Sequence, residues 1–330
     1  MKKLYVISGA TGMTGSELCR NLLADGCSVI GFDNFFCSDI NVISDIIGNS
    51  ALVFYEYDLN NAEQMANLEQ LVAKRSPDFD EVIFINCAAV VHTEYFYEVD
   101  STFTTNVLGM KSFLNMAIRT GAKKYINCST SEVYSMQSYA AGGVKEDDYI
   151  TLATAEHSQR TSYAVGKLMT EFFMKDAVNK GRIFGCSIRF ANVYSKSELY
   201  PKHIIPHIVN SLLEDGSVTL LENSKKTSRT FLNNSDSCSA VIQLASTDAA
   251  LDGSAYNVAT TEEVAILDLV RIIAEKLNIS EPVVQFKGFR ASDPERRCLN
   301  TDKIRNAVGW APNVTLSQGL DEVIAERTKK

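Results

Sequence analysis

Apolar and polar positions alternate in two regular ways through the first half of the chain. Short apolar runs have the length of β-strands, and longer stretches between them carry apolar residues at the spacing of a helix face. This alternation indicates βαβ units, and therefore an α/β fold with a doubly wound parallel sheet and helices on both faces. The predicted strands are Leu4–Ser8, Ser28–Phe32, Leu52–Tyr57, Glu81–Ile85, Lys124–Cys128 and Phe184–Phe190. The predicted helices are Thr14–Ala24, Ala62–Lys74, Thr102–Thr120 and Ser162–Asn179.

The pattern becomes less regular after residue 200, where five of the six prolines occur. Helices are predicted near Ile205–Glu214, Ser237–Ala245 and Val264–Leu277, with loops between them. We therefore expect a smaller second domain in the C-terminal part of the chain.

The composition is that of an average globular protein, with 45% hydrophobic and 22% charged residues. A net charge of −8 and a pI of about 5.2 disfavour a nucleic-acid-binding protein. No apolar run is long enough to span a membrane, and the run Leu4–Ile7 is too short for a signal peptide, so we expect a cytoplasmic protein. Eight cysteines without a Cys-x-x-Cys pair and only four histidines predict reduced thiols and no metal site.

A glycine-rich turn follows the first predicted strand and opens the first predicted helix. Its sequence is Gly9-Ala10-Thr11-Gly12-Met13-Thr14-Gly15. Glycines let the backbone approach a pyrophosphate closely, and a helix N-terminus supplies N–H donors to it. A glycine triplet by itself is also compatible with a simple tight turn, but its place between a strand and a helix favours dinucleotide binding.

Polar and small residues end the next three predicted strands. Asp33 ends the second strand, where a carboxylate binds both ribose hydroxyls of NAD and repels a 2′-phosphate. The alternative is a solvated aspartate in the turn Asp33-Asn34. Asp58-Leu59 follows the third strand and is suited to capping an adenine, and Cys87-Ala88-Ala89 follows the fourth strand with side chains small enough to let a dinucleotide cross.

Two further patterns carry candidate chemistry. Tyr163 and Lys167 are four residues apart, so a helix places them on one face, where the ammonium would lower the pKa of the phenol and make it a general base. The run Ser129-Thr130-Ser131-Glu132 follows the fifth strand, and its side chains would enter the same crevice. The alternatives are a surface Tyr and Lys, and a Ser/Thr loop whose Glu caps a helix.

Together these motifs resemble the extended short-chain dehydrogenase/reductases, and among them the NAD-dependent nucleotide-sugar epimerase/dehydratase family. The resemblance covers nearly the whole chain. Two departures from the family pattern are Ser195 after Tyr194 and Thr230 after Arg229, both near the expected substrate loop. The segments that carry the resemblance to this family are Gly9–Gly15, Asp33, Ser129–Tyr134, Tyr163–Lys167, Arg189–Tyr194, Ser228–Phe231, Ala255–Val258, Arg290–Arg297 and Gly309–Pro312.

The resemblance implies a Rossmann domain that binds NAD over residues 1–190, with residues 229–258 returning to it. Residues 191–228 and 259–330 would then form a smaller α/β domain that binds a nucleotide-diphosphate sugar. A homodimer would form through the helices near Thr102–Thr120 and Ser162–Asn179. The implied cofactor-binding residues are Gly9, Thr11, Gly12, Met13, Gly15, Asp33, Asn34, Asp58, Leu59, Cys87, Ala88, Ala89, Asn106, Tyr163 and Lys167.

The resemblance also implies roles for the catalytic and substrate residues. Tyr163 would take the proton of the sugar O4, Lys167 would bind the nicotinamide ribose, and Thr130 would hydrogen-bond O4. The nucleotide diphosphate would be held by Asn192, Arg229 and Arg290, since the planar guanidinium pairs well with phosphate oxygens.

Glu132, with Ser131 before it, bears on the reaction class. The 4,6-dehydratases and the uronic-acid decarboxylases of this family carry glutamate at this position, whereas simple 4-epimerases usually carry a small or apolar residue. Arg160 is a feature of both glutamate-bearing groups, and Arg297 falls near an arginine that decarboxylases are thought to use on the carboxylate. We therefore predict an NDP-hexose 4,6-dehydratase first, with a UDP-glucuronate-type decarboxylase, a 4-epimerase and a non-enzymatic dinucleotide sensor as alternatives.

Overall fold

The computed structural model describes residues 1–136 and 142–329. Residues 137–141 and 330, which the expected domain ranges include, lie outside the described residues. The strands are β1 Lys3–Ser8, β2 Ser28–Asp33, β3 Leu52–Glu56, β4 Glu81–Asn86, β5 Lys124–Thr130, β6 Phe184–Phe190, β7 Val193–Tyr194, β8 Ser217–Leu220, β9 Ser228–Thr230, β10 Leu232–Asn233, β11 Asp252–Val258, β12 Glu263–Ala265, β13 Val283–Phe286 and β14 Arg296–Arg297.

Helices connect these strands. The α-helices are α1 Met13–Ala24, α2 Ala62–Arg75, α3 Val99–Phe103, α4 Met110–Arg119, α5 Thr161–Asn179, α6 Ile204–Asp215, α7 Asn234–Ser246, α8 Ile266–Lys276, α9 Asp302–Val308 and α10 Leu316–Arg327. Single helical turns lie at Ile40–Ile43, Ser76–Asp78, Thr93–Tyr97, Ser131–Tyr134, Glu222–Lys225 and Asp248–Ala250.

A seven-stranded parallel sheet in the order β11-β6-β5-β4-β1-β2-β3 forms the centre of the fold. The predicted doubly wound parallel sheet is thus confirmed. The chain runs outward from β1 through β2 to β3, and then continues on the other side of β1 with β4. The order therefore reverses between β1 and β4, which is where ligands bind in open α/β sheets.

Alternate side chains of the central strands enter two separate hydrophobic layers. In β1, Tyr5 and Ile7 pack in the layer that contains α1 and α7, whereas Leu4 and Val6 pack in the layer that contains α2 and α4. All four side chains are at most 1% exposed, so β1 is buried on both faces. A strand buried on both faces is apolar at every position, and for this reason a continuous apolar run predicted β1. Burying each aliphatic side chain contributes about 1.5–3 kcal/mol to stability.

The stretch predicted as one helix from Thr102 to Thr120 is divided into three segments. Helix α3 ends at Phe103, a π-helical segment spans Thr104–Gly109, and α4 begins at Met110. The prediction of a single continuous α-helix is therefore wrong in detail. The apolar spacing persists through the wider turns of the π segment, which is why the sequence pattern does not reveal it.

The C-terminal part of the chain forms several small sheets around a third hydrophobic cluster. Strands β12, β9 and β14 make one sheet, β8 pairs with β13, and helices α6, α8 and α10 pack around them. Strand β11 returns to the central sheet, while β9 belongs to the small three-stranded sheet. The exact division into two domains stays a prediction.

Helices α3 and α5 expose several large apolar side chains. Val99, Phe103, Val165, Met169 and Phe172 are between 44% and 63% exposed. Helix α5 coincides with the expected interface region Ser162–Asn179, whereas α3 overlaps only the start of the region Thr102–Thr120, and the homodimer stays a prediction. In residues 1–136 and 142–329, no helix has the length and apolarity needed to cross a membrane.

Candidate active site

One large cavity lies at the carboxyl ends of the central strands, between the sheet and the small C-terminal sheets. Its volume is about 920 Å³, which is at the upper end of the range for ligand sites. Of the residues predicted from the sequence to form the site, all except Asn106 line this cavity. The residues of the glycine turn, of the loop after β5 and of helix α5 thus meet around one space.

The glycine turn leaves no room for a side chain at Gly9 or at Gly15. Gly9 has a φ of +69°, and a Cβ atom added there would lie 2.7 Å from the backbone nitrogen of Ala88. A Cβ atom on Gly15 would lie 2.0 Å from the carbonyl oxygen of Gly9. Gly12 precedes α1, whose N-terminus opens on the cavity together with Thr11 and Met13. The turn therefore brings the N-terminus of α1 to the cavity at close range, as phosphate binding requires.

Asp33 is tied to this turn by its carboxylate. One oxygen accepts a hydrogen bond from the backbone N–H of Thr11 at 3.2 Å, and the other accepts from the N–H of Phe35 at 2.9 Å and from the hydroxyl of Ser38 at 3.2 Å. These contacts fix the carboxylate at the end of β2, where it lines the cavity with Asn34. Its position agrees with the predicted contact to a ribose.

The ends of β3 and β4 complete this side of the cavity. Asp58, Leu59, Cys87, Ala88 and Ala89 all line it. The side chains after β4 are small, so the space above β1 and β4 stays open for an extended ligand.

Asn106 lies behind the cavity wall. Its amide accepts a hydrogen bond from the backbone N–H of Val90 at 2.7 Å and donates one to the carbonyl of Val90 at 3.2 Å. The side chain is fully buried. Asn106 therefore holds the loop that carries Ala88 and Ala89, and a direct cofactor contact stays a prediction.

Tyr163 and Lys167 lie on one face of α5, as their spacing predicts. Thr130 lines the cavity with Tyr163, and the ammonium of Lys167 donates to the carbonyl of Cys128 at 2.9 Å. Burial, and then the charge of Glu132, raise the pKa of Tyr163 above its usual value. Burial lowers the pKa of Lys167. In the protein alone the pKa of the phenol is therefore raised, and a lowering of this pKa by Lys167 stays a prediction.

Glu132 is held between two arginines in an arrangement we call the Glu132 cluster (Glu132, Arg160 and Arg297). Arg297 donates to the two carboxylate oxygens at 2.7 and 3.3 Å, and Arg160 donates to them at 3.2 and 3.3 Å. Burial raises the pKa of Glu132, but the charges and hydrogen bonds of Arg297 and Arg160 outweigh burial and lower the pKa to about 2. The carboxylate is therefore ionised at every physiological pH. Ser131 is buried beside it and also lines the cavity.

A second pair of arginines lines the cavity next to the Glu132 cluster, because Arg229 of β9 is the strand partner of Arg297 of β14. Arg229 donates to the carboxylate of Asp293 at 2.9 Å, and Arg290 lies 4.0 Å from the same carboxylate. Asn192 lines the cavity with a φ of +39°, and its amide nitrogen is buried without a hydrogen-bond partner among the described residues. A buried donor without a partner is a ready contact for an oxygen-rich ligand.

The match to known sequences decides the family. The sequence model of the NAD dependent epimerase/dehydratase family matches residues 5–259, which is most of the chain. The chain belongs to this family. It is therefore an NAD-dependent enzyme, and its cofactor is NAD.

Individual relatives agree with this assignment. UDP-glucuronic acid decarboxylase 1 of Arabidopsis thaliana is 25% identical over 326 residues, covering 97% of this chain and 69% of that protein. The UDP-N-acetyl-alpha-D-glucosaminuronate decarboxylase of Bacillus cytotoxicus is 26% identical over 336 residues, covering 98% and 97%. A crystal structure of a dTDP-glucose 4,6-dehydratase from Streptomyces venezuelae matches with a TM-score of 0.84 and 21% identity over 98% of this chain and 96% of that one, which supports the fold.

The residues of this family member fit NAD. Gly9 and Gly15 have no space for a side chain, Asp33 supplies a carboxylate at the end of β2, and Ala88 and Ala89 leave the switch point open. These residues would hold the pyrophosphate and the adenosine ribose, while Tyr163 and Lys167 face the other end of the dinucleotide site.

Several cavity residues were not predicted from the sequence. Phe96 stacks on the ring of Tyr163, His92 stacks on Tyr200 at 3.8 Å between ring centroids, and Asp293 joins Arg229 to Arg290. The segments around Phe96 and His92 carry no motif of regular spacing. Only Asp293 had a signal in the sequence, because it lies along the chain between Arg290 and Arg297, which were already singled out. In residues 1–136 and 142–329, no group of three or more His, Cys, Asp or Glu side chains could hold a metal.

Proposed function

We propose that this enzyme decarboxylates a nucleoside-diphosphate hexuronic acid through a 4-keto intermediate. The observation that carries the proposal is the Glu132 cluster, in which two guanidinium groups converge on a single carboxylate inside the cavity. The relatives from Arabidopsis thaliana and Bacillus cytotoxicus, whose names describe decarboxylases of uronic-acid nucleotides, support the same choice.

The charge of the cluster favours an anionic sugar. Two guanidinium groups and one carboxylate leave one positive charge, in a place where the side chain of Arg297 is 4% exposed. The carboxylate of a uronic acid would interact favourably with these two guanidinium groups. Arginine also binds carboxylates in a bidentate geometry that a neutral hydroxymethyl group does not use.

The reaction begins at C4 of the sugar. Tyr163 accepts the proton of O4, while Thr130, which lines the same cavity, orients the same oxygen. NAD⁺, when bound, would supply a hydride acceptor for C4 and a positive charge that favours the phenolate. Lys167, anchored to the carbonyl of Cys128, holds its ammonium in the same part of the site.

The bond that breaks is the one between C5 and C6. Once C4 is a ketone, the sugar is a β-keto acid, so carbon dioxide leaves and the electron pair of the C5–C6 bond passes to O4. A proton from solvent then adds to C5, and Tyr163 returns its proton to O4 as the hydride returns to C4. In this scheme Arg160 and Arg297 bind and orient the carboxylate.

A 4,6-dehydratase, which the sequence pattern ranks first, is the second candidate. Glu132 lines the same cavity as Tyr163, as a dehydratase that uses this carboxylate to remove the C5 proton would require. However, a carboxylate with a pKa of about 2 is a weak base. The two arginines therefore favour a role for the cluster in binding an anion over one in proton removal.

The two guanidinium groups near Asp293 are suited to the nucleotide diphosphate. Arg229 and Arg290 both approach the carboxylate of Asp293, and both line the cavity. We propose that they bind the diphosphate together with the unpartnered amide of Asn192.

The test incubates the purified protein and NAD⁺ separately with UDP-glucuronic acid, UDP-glucose and dTDP-glucose. We expect release of carbon dioxide from UDP-glucuronic acid and formation of the corresponding pentose nucleotide, followed by mass spectrometry. Absorbance in alkali from a 4-keto-6-deoxy sugar made from either hexose would instead favour the dehydratase. Binding of NAD without conversion of any of the three would contradict the proposal and favour the sensor.

Arg297→Gln and Arg296→Gln form a matched pair for this test. Arg296 is the preceding residue of β14, pairs with Glu263 at 2.7 Å, and does not line the cavity. Removal of one partner from a buried charge pair costs about 2–5 kcal/mol, so KM for UDP-glucuronic acid should rise at least about tenfold in Arg297→Gln. Arg296→Gln should stay close to the wild type, and equal effects of the two changes would contradict the assigned role of Arg297.

A further inference from the structure

Phe96 contacts both the residue that carries the proton chemistry and a residue of the Glu132 cluster. Its ring is stacked on the ring of Tyr163, with 4.0 Å between centroids and an angle of 8° between the planes. The guanidinium carbon of Arg160 lies over the same ring of Phe96, 5.1 Å from its centroid. We infer that Phe96 is a positioning residue that sets the base and the carboxylate-binding arginine in a fixed relation to each other.

The backbone around Phe96 is attached to the helix that carries Tyr163. The hydroxyl of Ser162 donates to the carbonyl oxygen of Phe96 at 3.0 Å, and the hydroxyl of Thr102 donates to the carbonyl of Tyr95 at 3.1 Å. Phe96 is 4% exposed and lies in the helical turn Thr93–Tyr97. Hydrogen bonds to its backbone and the burial of its side chain therefore fix the ring of Phe96 without any contact to a ligand.

Each of the two contacts limits a different freedom. The stacked ring restricts rotation of the Tyr163 side chain, and this rotation would otherwise move the phenol oxygen away from Thr130. The cation–π contact keeps the guanidinium of Arg160 at the edge of the cavity, where it reaches Glu132 at 3.2 Å. Arg160 directly precedes α5 and has no other ion-pair partner among the described residues, so Phe96 and Glu132 together determine its position.

The consequence is a coupling between proton transfer and carboxylate binding. A change at Phe96 should affect kcat through Tyr163 and KM for an acidic sugar through Arg160, although Phe96 has no group that can exchange a proton or pair with a charge. The part of this inference that concerns Arg160 rests on the proposed function. The part that concerns Tyr163 applies to any reaction that starts with oxidation at C4.

The experiment compares Phe96→Leu, Phe96→Tyr and Phe113→Leu with the wild type. Phe113 is a fully buried aromatic residue of α4 that contacts the rings of Phe32, Phe84 and Tyr125 and does not line the cavity. It is therefore a matched control for the loss of an aromatic ring from the core. Activity is measured with UDP-glucuronic acid and dTDP-glucose, together with NAD binding and thermal unfolding of each variant.

For Phe96→Leu we expect kcat to fall about 10- to 100-fold, as small misplacements of a reacting group do, and KM for UDP-glucuronic acid to rise several-fold. Phe96→Tyr keeps the ring and should restore both to within about threefold of the wild type. Phe113→Leu should lower the unfolding temperature with little effect on either constant. Equal losses of kcat in Phe96→Leu and Phe113→Leu, or no rescue by tyrosine, would overturn the inference.

Two results separate this inference from the proposed function. If the wild type converts dTDP-glucose and not UDP-glucuronic acid, the proposed function fails. The effect of Phe96→Leu on Tyr163 is then tested by the fall in kcat for dTDP-glucose. A crystal structure of Phe96→Leu tests the inference without turnover. We expect displaced side chains at Tyr163 and Arg160, and unchanged positions of both would overturn it.

Discussion

The two walls of the cavity are built in different ways. The first, which we call the dinucleotide wall, consists of the turn Gly9–Gly15, Asp33 and the loops after β3 and β4, and it offers mainly backbone groups and small side chains. The opposite wall contains the Glu132 cluster, whose members come from the turn after β5, the start of α5 and strand β14. One wall depends on close backbone packing, and the other depends on charge brought together from distant parts of the chain.

The difference shows in what each wall tolerates. At the dinucleotide wall the geometry is set by steric limits, because a single added carbon at Gly15 would overlap the backbone. At the Glu132 cluster the geometry is set by charge balance, because one carboxylate is shared by two guanidinium groups. Substitutions should therefore affect the first through packing and the second through electrostatics and pH.

Tyr163→Phe, at the junction of the walls, should have the largest effect. The change removes the phenol oxygen and keeps the ring stacked on Phe96, so binding of NAD and substrate should stay nearly the same. Turnover should fall about 10²–10⁴-fold, which is the usual contribution of a positioned general acid–base group. Steady-state kinetics and NAD titration measure the two effects. The control is Tyr97→Phe, at a half-exposed tyrosine outside the cavity. Turnover of Tyr163→Phe within about threefold of the wild type would show that another group is the base.

The Glu132 cluster should contribute stability that is lost in acid. The folded pKa of Glu132 is about 2, below its usual value of 4.5, so the charged form is stabilised by folding. This contribution is complete above pH 4.5 and disappears as the pH falls towards 2, and it amounts to up to about 3 kcal/mol. The unfolding free energies of the wild type and of Glu132→Gln should thus differ most at neutral pH. The difference between them should shrink as the pH falls from 4.5 to 2.

The control for this measurement is Glu262→Gln, at an exposed carboxyl away from the cavity. Its unfolding free energy should follow that of the wild type across the same pH range. A difference between wild type and Glu132→Gln that stays constant from pH 4.5 to pH 2 would contradict the ion-pair origin of the contribution.

Gly15→Ala tests the dinucleotide wall by packing alone. The added Cβ would lie 2.0 Å from the carbonyl oxygen of Gly9, and this atom is backbone, so the turn has to move. Overpacking of this kind costs about 1–3 kcal/mol, and the distorted turn should weaken NAD binding by about tenfold or more. Calorimetric titration with NAD measures the loss. Gly48→Ala is the control, since a Cβ atom there meets no other atom within 4 Å. Equal NAD affinity in Gly15→Ala and Gly48→Ala would show that the turn Gly9–Gly15 is not the phosphate site.

Asp33 should set a preference for NAD over NADP, which is the smallest effect expected here. Its carboxylate would bind both ribose hydroxyls and repel a 2′-phosphate. Asp33→Asn keeps the size of the side chain and removes the charge, so the ratio of NADP to NAD dissociation constants should fall by about tenfold. Asp39→Asn, at an exposed aspartate outside the cavity, serves as the control. Tighter binding of NADP than of NAD by the wild type would exclude this role.

The regular elements were predicted well where the local pattern is strong. The run Phe184–Phe190 is β6 with the same bounds, and the helix expected at Ser162–Asn179 is α5, which begins at Thr161. A strand buried on both faces must be apolar throughout, and a helix over the sheet must be apolar on one side, so a short window of sequence suffices. The interruption between α3 and α4 was missed because an extra residue per turn changes the backbone and not the local composition.

The individual residues of the site were also predictable, but their pairings were not. The glycines, Asp33, Tyr163 and Lys167 are recognised from spacing, because their partners lie nearby in the sequence or are backbone groups. Glu132 and the arginines were singled out one by one, and the effect of the arginines on the carboxylate was not foreseen. The ring of Phe96 was missed because no spacing relates it to Tyr163.

The sequence by itself determined the parallel sheet, the glycine turn at the start of α1 and the placement of Tyr163 and Lys167 on one helix, since these follow from interactions between residues close along the chain. Only the tertiary structure decided that Arg297 reaches Glu132 across 165 positions, that Arg160 reaches it from the start of α5, and that the carboxylate is therefore strongly acidic. The physical reason is that a pKa and a charge balance depend on distance in space, and chain folding sets that distance independently of local propensity.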